Sequence, residues 1–284
     1  MPIVSKRCVS GPFAAALCLT PLFGLFSCAG KQLAHENLNA VLWVQTSVEY
    51  RALARQSYLD AKLALDEALA QSSWTAATEQ REGFSSLPPA VILDVDETVL
   101  DNSPYQARLV LDERDFEETT WQAWCREMRA TAVPGALEFT RYASSQGVTI
   151  FYATNRRKAV EEATVDNLRA IGFPLAEDRD VVLSRGENGW DSSDKTARRE
   201  HVASRFRVLL LIGDNLGDFV ELPGGSPGER ETVYERYEDY WGTRWIVLPN
   251  PQYGSWESAL FDSDFSLTGE ERLNRKRQRL RPGS

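Results

Sequence analysis

The chain has 284 residues, enough for one large domain or for a core with an inserted subdomain. Hydrophobic residues make up 43% of it and charged residues 26%, which is ordinary for a globular protein. The formal net charge of −9 argues against a binder of nucleic-acid polymers.

Residues 1–27 are predicted to be a lipoprotein signal peptide rather than part of the fold. Two basic residues open it, and the apolar run at residues 13–26 is too short to span a membrane. The run ends in Leu25-Phe26-Ser27-Cys28, which resembles a bacterial lipobox with Cys28 as the lipidated residue. The alternative is an ordinary signal peptide that is cut near Ala29. Because alanine rather than aspartate follows the cysteine, the resemblance to exported lipoproteins implies an outer-membrane lipoprotein of the bacterial cell envelope.

Residues 28–86 are predicted to form a linker and helices ahead of the core. From about His35 to Leu69 there is no proline or glycine, and apolar residues recur at roughly helical spacing. This pattern predicts one long helix or two consecutive helices. A polar stretch from Gln71 to Ser86 then leads to the first strand.

Beyond residue 87, short apolar runs alternate with helical patterns. The predicted strands are Ala90–Leu93, Val148–Ala153, Val181–Leu183, Val208–Ile212 and Trp245–Leu248. The predicted helices are Gly135–Ser145, Arg157–Ile171 and Lys195–Phe206. Strands that alternate with helices predict an α/β fold with a doubly wound parallel sheet.

Two further segments complete the predicted core of residues 87–262 and its tail. The charged residues 103–131, which carry two tryptophans, are predicted to form a small cap over the site. Residues 263–284 are predicted to be a basic, solvated tail, with contact to anionic lipid as the alternative. The segment Gly224–Gly228 matches the pattern G-x-S-x-G, but Pro227 lacks the backbone N–H that an oxyanion hole needs. This segment is therefore predicted to be a flexible loop without a nucleophilic serine.

The most informative motif is Asp94-Val95-Asp96-Glu97-Thr98, which directly follows the first predicted strand. Ligands of open α/β sheets bind at the carboxyl ends of the strands. Two carboxylates at such a position repel each other in a partly dry site, and a cation removes that penalty. Oxygen ligands suit Mg²⁺, which also binds phosphate groups. The motif therefore points to phosphoryl chemistry.

Three later polar segments follow predicted strands or begin a predicted helix, so they can lie close to this motif in the fold. Thr154-Asn155-Arg156 follows the second strand, Lys195 lies near a helix start, and Gly213–Asp218 follows the fourth strand. Because the carboxyl ends of parallel strands converge on one crevice, residues as distant in sequence as Asp94 and Asp214 can meet there.

This set resembles the four motifs of the haloacid dehalogenase superfamily, and more specifically its class C, lipoprotein-type acid phosphatases, also described as a 5'-nucleotidase lipoprotein family. The resemblance spans most of the chain from the lipobox to about Leu260. It is carried by Asp94–Tyr105, Tyr152–Arg156, Gly213–Phe219 and Pro249–Trp256.

The resemblance implies a role for each acidic residue. Asp94 is implied as the nucleophile that forms an aspartyl-phosphate, and Asp96 as the acid that protonates the leaving group. Mg²⁺ is implied as the cofactor, held by Asp94, the backbone carbonyl of Asp96 and Asp214. Asp218 is implied to support the metal through water or as an outer partner.

The resemblance also implies how a substrate is held. Lys195 and Thr154 would bind the phosphoryl oxygens, with Asn155 and Arg156 among the substrate-binding residues. Aromatic side chains would stack on a nucleobase, and the matching positions here are Trp121, Tyr253 and Trp256.

The predicted function is a magnesium-dependent acid phosphatase acting on small phosphomonoesters, with nucleoside 5'-monophosphates as the expected substrates. One alternative is a phosphatase of broad specificity without nucleotide preference. Another is a surface lipoprotein that binds a ligand without catalysis. The sequence is compatible with an oligomer and does not identify one.

Overall fold

The computed structural model of the protein describes residue 2, residues 35–221 and residues 225–283. The predicted signal peptide and Cys28 lie outside these residues, apart from residue 2. Within the described part of the chain, no helix combines the length and apolar character needed to cross a membrane.

Helices and strands alternate along most of the chain. The helices are α1 (Leu38–Thr46), α2 (Val48–Ala70), α3 (Ser103–Asp112), α4 (Glu118–Glu127), α5 (Ala136–Ser145), α6 (Glu161–Ile171), α7 (Thr196–Ala203), α8 (Pro227–Arg236), α9 (Ser255–Ser258) and α10 (Gly269–Gln278). The strands are β1 (Pro89–Leu93), β2 (Leu100–Asp101), β3 (Thr131–Ala132), β4 (Thr149–Arg157), β5 (Val182–Arg185), β6 (Arg207–Gly213) and β7 (Trp245–Val247).

Five strands form a sheet in the order β5-β4-β1-β6-β7, and each neighbouring pair is parallel. The chain first moves outward from β1 to β4 and β5, then returns to the other side of β1 with β6 and β7. This reversal is the point at which open α/β sheets bind ligands. The predicted parallel α/β fold is confirmed, and its crevice lies at the carboxyl end of β1.

The N-terminal segment packs against the sheet. Its two helices are separated at Ser47, whose backbone is extended and whose hydroxyl accepts a hydrogen bond from the backbone N–H of Tyr50. The polar stretch that follows is also anchored to the sheet: the indole of Trp74 donates to the carbonyl of Leu209 at 2.8 Å. The backbone N–H of Ala76 donates to the carbonyl of Val208 at 2.8 Å.

The segment predicted as a cap lies between two short strands. β2 and β3 pair in antiparallel fashion, and α3 and α4 lie between them in sequence. Trp121, Trp124 and Cys125 of α4 are buried. The single cysteine of the described residues is thus a buried thiol, as a small apolar side chain would be.

Two segments differ from their predictions. The loop expected at Gly224–Gly228 is wrong from Ser226 onward, because α8 begins at Pro227 and the side chains of Ser226 and Glu229 each bond the other's backbone N–H. The tail predicted to be solvated contains a helix that was not predicted, α10, and none of its residues is buried. Lys276 of this helix lies 2.6 Å from both Glu36 and Glu257.

Candidate active site

The motif that follows β1 forms a tight turn at the carboxyl end of the sheet. The backbone N–H of Asp94 still donates to the carbonyl of Ile212 in β6, at 2.9 Å. Glu97 then adopts a left-handed backbone with φ of 59°, which is uncommon for a residue other than glycine. Its N–H donates to the carbonyl of Leu100 at 2.8 Å, so the chain turns back into β2. The turn presents Asp94 and Asp96 at the crevice.

Lys195 joins two of the predicted acidic residues. Its ammonium donates to Asp94 and, at 2.6 Å, to Asp218, and all three side chains are buried. Burial raises the pKa of Asp94 to about 7; Lys195 opposes this rise, while Asp218 and Asp96 add to it. Burial alone would lower the pKa of Lys195, but the carboxylates of Asp218 and Asp94 raise it overall. Lys195 is therefore a fixed positive charge beside the predicted nucleophile.

Three carboxylates lie close enough together to share a cation. Oxygens of Asp94, Asp214 and Asp218 all lie within 4.8 Å of one another. Burial and the charges of Asp218 and Asp94 raise the pKa of Asp214 well above its usual range. A divalent cation would relieve this repulsion, and an all-oxygen set of this kind fits such an ion. The side chain of Asp96 is not part of this set, and the predicted use of its backbone carbonyl stays a prediction.

Gly213 makes this close approach possible. A Cβ atom at this position would lie 2.3 Å from the Oδ2 of Asp218 and 2.5 Å from its Cβ, which is too close for any side chain. The oxygens of Asp218 are held on both sides, since Oδ2 accepts from the backbone N–H of Asn215 at 2.9 Å and Oδ1 accepts from Lys195. Asp218 is therefore oriented by the protein, and its supporting role at a metal stays a prediction.

Asp96 is held by a different partner. The guanidinium of Arg156 approaches its Oδ1 with Nε at 2.9 Å and with a terminal nitrogen at 2.8 Å. Arg156 is almost fully buried; the same terminal nitrogen, Nη2, also donates to Asn102, and Nη1 donates to Thr164. The structure thus places Arg156 behind Asp96; its predicted contact with substrate stays a prediction.

Thr154 and Asn155 lie within β4, which extends beyond the predicted strand end. The hydroxyl of Thr154 lies 3.5 Å from Oδ2 of Asp96, at the edge of the crevice. The side-chain oxygen of Asn155, which is exposed, accepts a hydrogen bond from Arg198 at 2.8 Å. Arg198 also donates to the carbonyl of Thr154, so it fixes the end of β4.

The three predicted aromatic residues have different surroundings. Trp121 is only 9% exposed and packs against Tyr105, with ring centroids 5.1 Å apart. The guanidinium of Arg156 lies 5.4 Å from the centroid of the Trp121 ring. Tyr253 donates its hydroxyl hydrogen bond to Glu97, whereas Trp256 is 39% exposed. Their contact with a nucleobase stays a prediction.

Sequence reasoning missed several residues that shape this site. Arg198 follows Lys195 by three positions, a spacing that places both on one side of a helix start, and this could have identified it. Glu97 lies inside the Asp94–Thr98 motif and Asn102 just beyond it, but their roles depend on the left-handed turn at Glu97. Asn250, which donates to Asp214 at 2.7 Å, links the segment after β7 to the carboxylate set.

Comparison with known proteins agrees with the family predicted from the motifs. A profile of the HAD superfamily, subfamily IIIB (acid phosphatase), matches residues 23–256. The class C acid phosphatase from Bacillus anthracis is similar in structure, with a TM-score of 0.78 and 34% identity over 88% of this chain and 99% of that chain. The tungstate-bound form of that enzyme gives a TM-score of 0.77 and 33% identity, over 89% and 99%.

Two plant proteins are more distant relatives. Acid phosphatase 1 of Solanum lycopersicum is 26% identical over 166 residues, which cover 57% of either chain. The stem 31 kDa glycoprotein of Glycine max is 27% identical over 168 residues, which cover 57% of this chain and 58% of the relative. The chain therefore matches little more than half the length of these curated relatives.

Proposed function

We propose that this chain, which belongs to the HAD superfamily, subfamily IIIB (acid phosphatase), hydrolyses small phosphomonoesters through an aspartyl-phosphate. The single observation that carries the proposal is the buried set of Asp94, Lys195 and Asp218 at the carboxyl end of β1. A carboxylate next to a fixed ammonium at the sheet's ligand-binding edge suits nucleophilic attack on a phosphate ester. The tungstate in the similar Bacillus anthracis enzyme, a tetrahedral oxyanion like phosphate, supports this reading.

In the first step, a carboxylate oxygen of Asp94 attacks phosphorus and forms a new P–O bond. The ester P–O bond breaks, and the leaving oxygen takes a proton from Asp96. Lys195 stabilises the negative charge that the phosphoryl oxygens carry in the transition state. The Thr154 hydroxyl, which lies at the same edge, is proposed to donate a hydrogen bond to one of these oxygens.

In the second step, water attacks the phosphorus of the aspartyl-phosphate. Asp96, now ionised, takes a proton from this water as the bond between phosphorus and Asp94 breaks. Inorganic phosphate leaves, Asp94 is again a carboxylate and Asp96 is again protonated. Each group therefore returns to its starting state, as a catalytic cycle requires.

Mg²⁺ is the proposed cofactor, held by Asp94, Asp214 and the backbone carbonyl of Asp96, with Asp218 in support. When bound, the ion supplies positive charge between the nucleophile and the phosphate. The donor set supports this choice, because carboxylate and carbonyl oxygens are hard ligands of the kind that Mg²⁺ prefers. The short distances among the three carboxylates also need a compensating positive charge beyond that of Lys195.

Nucleoside 5'-monophosphates are the proposed substrates within this class. The segment Asn250–Trp256 is tied to the acidic edge by Asn250 on Asp214 and by Tyr253 on Glu97. The ring of Tyr253 is proposed to stack there on a nucleobase attached to the phosphate, together with Trp256 of the same segment. Trp121 lies on the cap side, against Arg156.

A cell-envelope location, with Cys28 as a lipid anchor in the outer membrane, is proposed from the lipobox-like sequence alone. Replacing Cys28 by Ser should release the protein from the membrane fraction. An unchanged membrane fraction would contradict lipidation at Cys28.

A substrate panel assayed with Mg²⁺ and with chelator tests the proposed activity. We expect hydrolysis of several phosphomonoesters, faster turnover of nucleoside monophosphates than of glycerol phosphate, and loss of activity in chelator. A protein that binds nucleotide without turnover in the presence of Mg²⁺ would be a binding lipoprotein instead. Equal turnover of all esters would favour the broad-specificity alternative.

A further inference from the structure

Asn102 is a buried residue at the start of α3 whose side chain does not cap the helix. Asparagine is common at such a position because its side chain usually bonds a backbone N–H of the first turn. Here no such bond is made, and the residue is fully buried. The backbone N–H of Asn102 instead donates to Glu97 at 3.0 Å. The side-chain amide of Asn102 is therefore available for another purpose.

All the hydrogen-bonding capacity of this amide is used, and most of it is used around Asp96. The Nδ2 group donates to Oδ1 of Asp96 at 2.9 Å and to the carbonyl of Leu100 at 3.2 Å. The Oδ1 atom accepts from the indole N–H of Trp124 at 2.8 Å and from Arg156 at 3.1 Å. Two donor hydrogens and two acceptor lone pairs are thus satisfied, which leaves the amide a single orientation.

As a consequence, the two carboxylate oxygens of Asp96 have different hydrogen-bond partners. Oδ1 accepts hydrogen bonds from Asn102 and Arg156, whereas Oδ2 faces Thr154 across 3.5 Å. The Asp96 side chain is 16% exposed, so it reaches the crevice while its inner oxygen is held. A carboxyl fixed in this way presents Oδ2 toward a bound ester.

The same amide joins this carboxyl to the cap. Trp124 belongs to α4, is buried, and donates its only polar hydrogen to Asn102. Arg156, the other donor to Asn102, packs over the ring of Trp121 in the same helix. Two tryptophans of α4 therefore contact the two side chains that hold Asp96: Trp124 contacts Asn102, and Trp121 contacts Arg156.

We propose that Asn102 is a positioning residue that holds Asp96 for proton transfer to the leaving group, with Trp124 fixing the Asn102 amide from the cap. This proposal rests on the proposed function, in which Asp96 is the proton donor. Without the amide, Asp96 would keep Arg156 as a partner but would lose its second constraint. Proton transfer would then become less efficient, while binding of the phosphate would change little.

The test compares two esters that differ in their need for a proton. p-Nitrophenolate leaves as a stable anion, whereas the alkoxide of glycerol phosphate must be protonated as it leaves. In the Mg²⁺-loaded full chain, Asn102→Ala should lower kcat/KM for glycerol phosphate by about 10- to 100-fold, and for p-nitrophenyl phosphate by less than about threefold. KM should stay within about twofold for both esters.

Trp124→Phe provides a second variant that keeps an aromatic side chain and removes the donor to Asn102, together with part of the buried ring volume. It should also lower kcat/KM selectively for glycerol phosphate, but by a smaller factor of about three- to tenfold. Trp245→Phe is the matched control: its buried indole donates to Ala76 at 2.9 Å, in the region of the N-terminal stretch. That variant removes a comparable hydrogen bond and should leave the ratio of the two esters unchanged.

Asp96→Asn in the same assay separates this proposal from the proposed function. Selective loss on glycerol phosphate in Asp96→Asn, with equal loss on both esters in Asn102→Ala and Trp124→Phe, would overturn the positioning role alone. Equal loss of kcat/KM on both esters in Asp96→Asn would overturn the proton-donor role and the positioning role together, because kcat/KM reports only the steps up to release of the alcohol and not the water step that both esters share. Selective loss in all three variants is the expected result.

Discussion

Two groups of three carboxylates and a lysine occur in the described part of the chain, and they have nearly the same composition. The inner cluster consists of Asp94, Asp214, Asp218 and Lys195. The outer cluster consists of Glu161, Asp180, Glu187 and Lys158. In each cluster the lysine contacts two of the carboxylates.

The clusters differ in burial and in what supports them. The side chain of Lys195 is 5% exposed, whereas that of Lys158 is 47% exposed. The inner cluster is built at the ends of β1 and β6 and the start of α7, which the sheet holds in fixed positions. The outer cluster joins residues just after β4 to residues on either side of β5.

The comparison shows that composition alone does not make a reactive site. In the outer cluster Lys158 is about half exposed, so water screens its pairs with Glu161 and Glu187, and the expected contribution of each ion pair is at most about 1 kcal/mol. In the inner cluster the same charges are desolvated, so they change each other's pKa and act strongly on a bound anion. Paired substitutions in the two clusters measure this difference directly.

Asp94→Asn against Glu187→Gln should give the largest contrast. The asparagine cannot form the covalent intermediate, so turnover should fall by about 10⁴-fold or more, while the nearly isosteric change keeps the fold. Glu187→Gln should leave turnover within about twofold, because Glu187 lies outside the inner cluster and its partner Lys158 is half exposed. Steady-state rates and thermal melts of both variants check this. Retention of more than about a tenth of the activity by Asp94→Asn would contradict the covalent mechanism.

Removal of the metal or of one of its proposed ligands should give the second-largest loss of activity. Chelator should abolish activity and added Mg²⁺ should restore it, because the ion offsets charge between nucleophile and phosphate. Asp214→Ala should lower activity by about a thousandfold and respond to Mg²⁺ only at much higher concentration. Asp180→Ala in the outer cluster is the control and should titrate with Mg²⁺ like the unaltered protein. Full activity in chelator would refute the metal requirement.

Substitution of the two lysines should give a smaller contrast. Lys195→Ala removes a charge that the phosphoryl oxygens would meet, so kcat should fall by about a hundredfold. Lys158→Ala should change kcat by less than about twofold and the free energy of unfolding by less than about 1 kcal/mol. Kinetics and denaturant unfolding of the pair provide the measurement. Similar effects of the two substitutions on kcat would mean that burial does not distinguish the clusters.

The smallest effect is expected beyond the inner cluster, at Tyr253. If its ring stacks on a nucleobase, Tyr253→Ala should lower kcat/KM for a nucleoside monophosphate by about tenfold and leave glycerol phosphate nearly unchanged. Tyr253→Phe keeps the ring and loses only the hydrogen bond to Glu97, so it should retain most of the nucleotide preference. An equal decrease of kcat/KM for both substrates would mean that Tyr253 only stabilises the structure of the site and does not contact the base.

The sequence predicted the strands best where a strand consists almost entirely of apolar residues. The apolar runs of β1 and β6 identified the buried sheet, and parallel pairing then brought Asp94 and Asp214 to one edge. The end of β4 was harder to predict, because Thr154–Arg156 is polar yet remains in the strand. Thr154 pairs with Ser184 of β5, and Arg156 is buried by its bonds to Asp96 and Asn102.

The start of α8 was mispredicted although the sequence carries a helix-start pattern there. The two glycines and the proline before α8 favoured a loop, although serine followed three residues later by glutamate is a helix-start pattern, with proline at the first position. The roles of Glu97 and Asn102 had no such signal. They follow from a single left-handed residue, whose conformation depends on the tertiary contacts that stabilise it.

The anchoring of the N-terminal stretch to β6 has a consequence for the order in which the protein folds. Trp74 and Ala76 find their partners at Leu209 and Val208, more than 130 residues later in the chain. During synthesis, these early residues and the β6-facing edge of β1 must therefore wait, without β6, until the chain has grown past Gly213. That unpaired edge of β1 is exposed to misassociation during the interval, and a chain that stops before Arg207 would keep it exposed permanently.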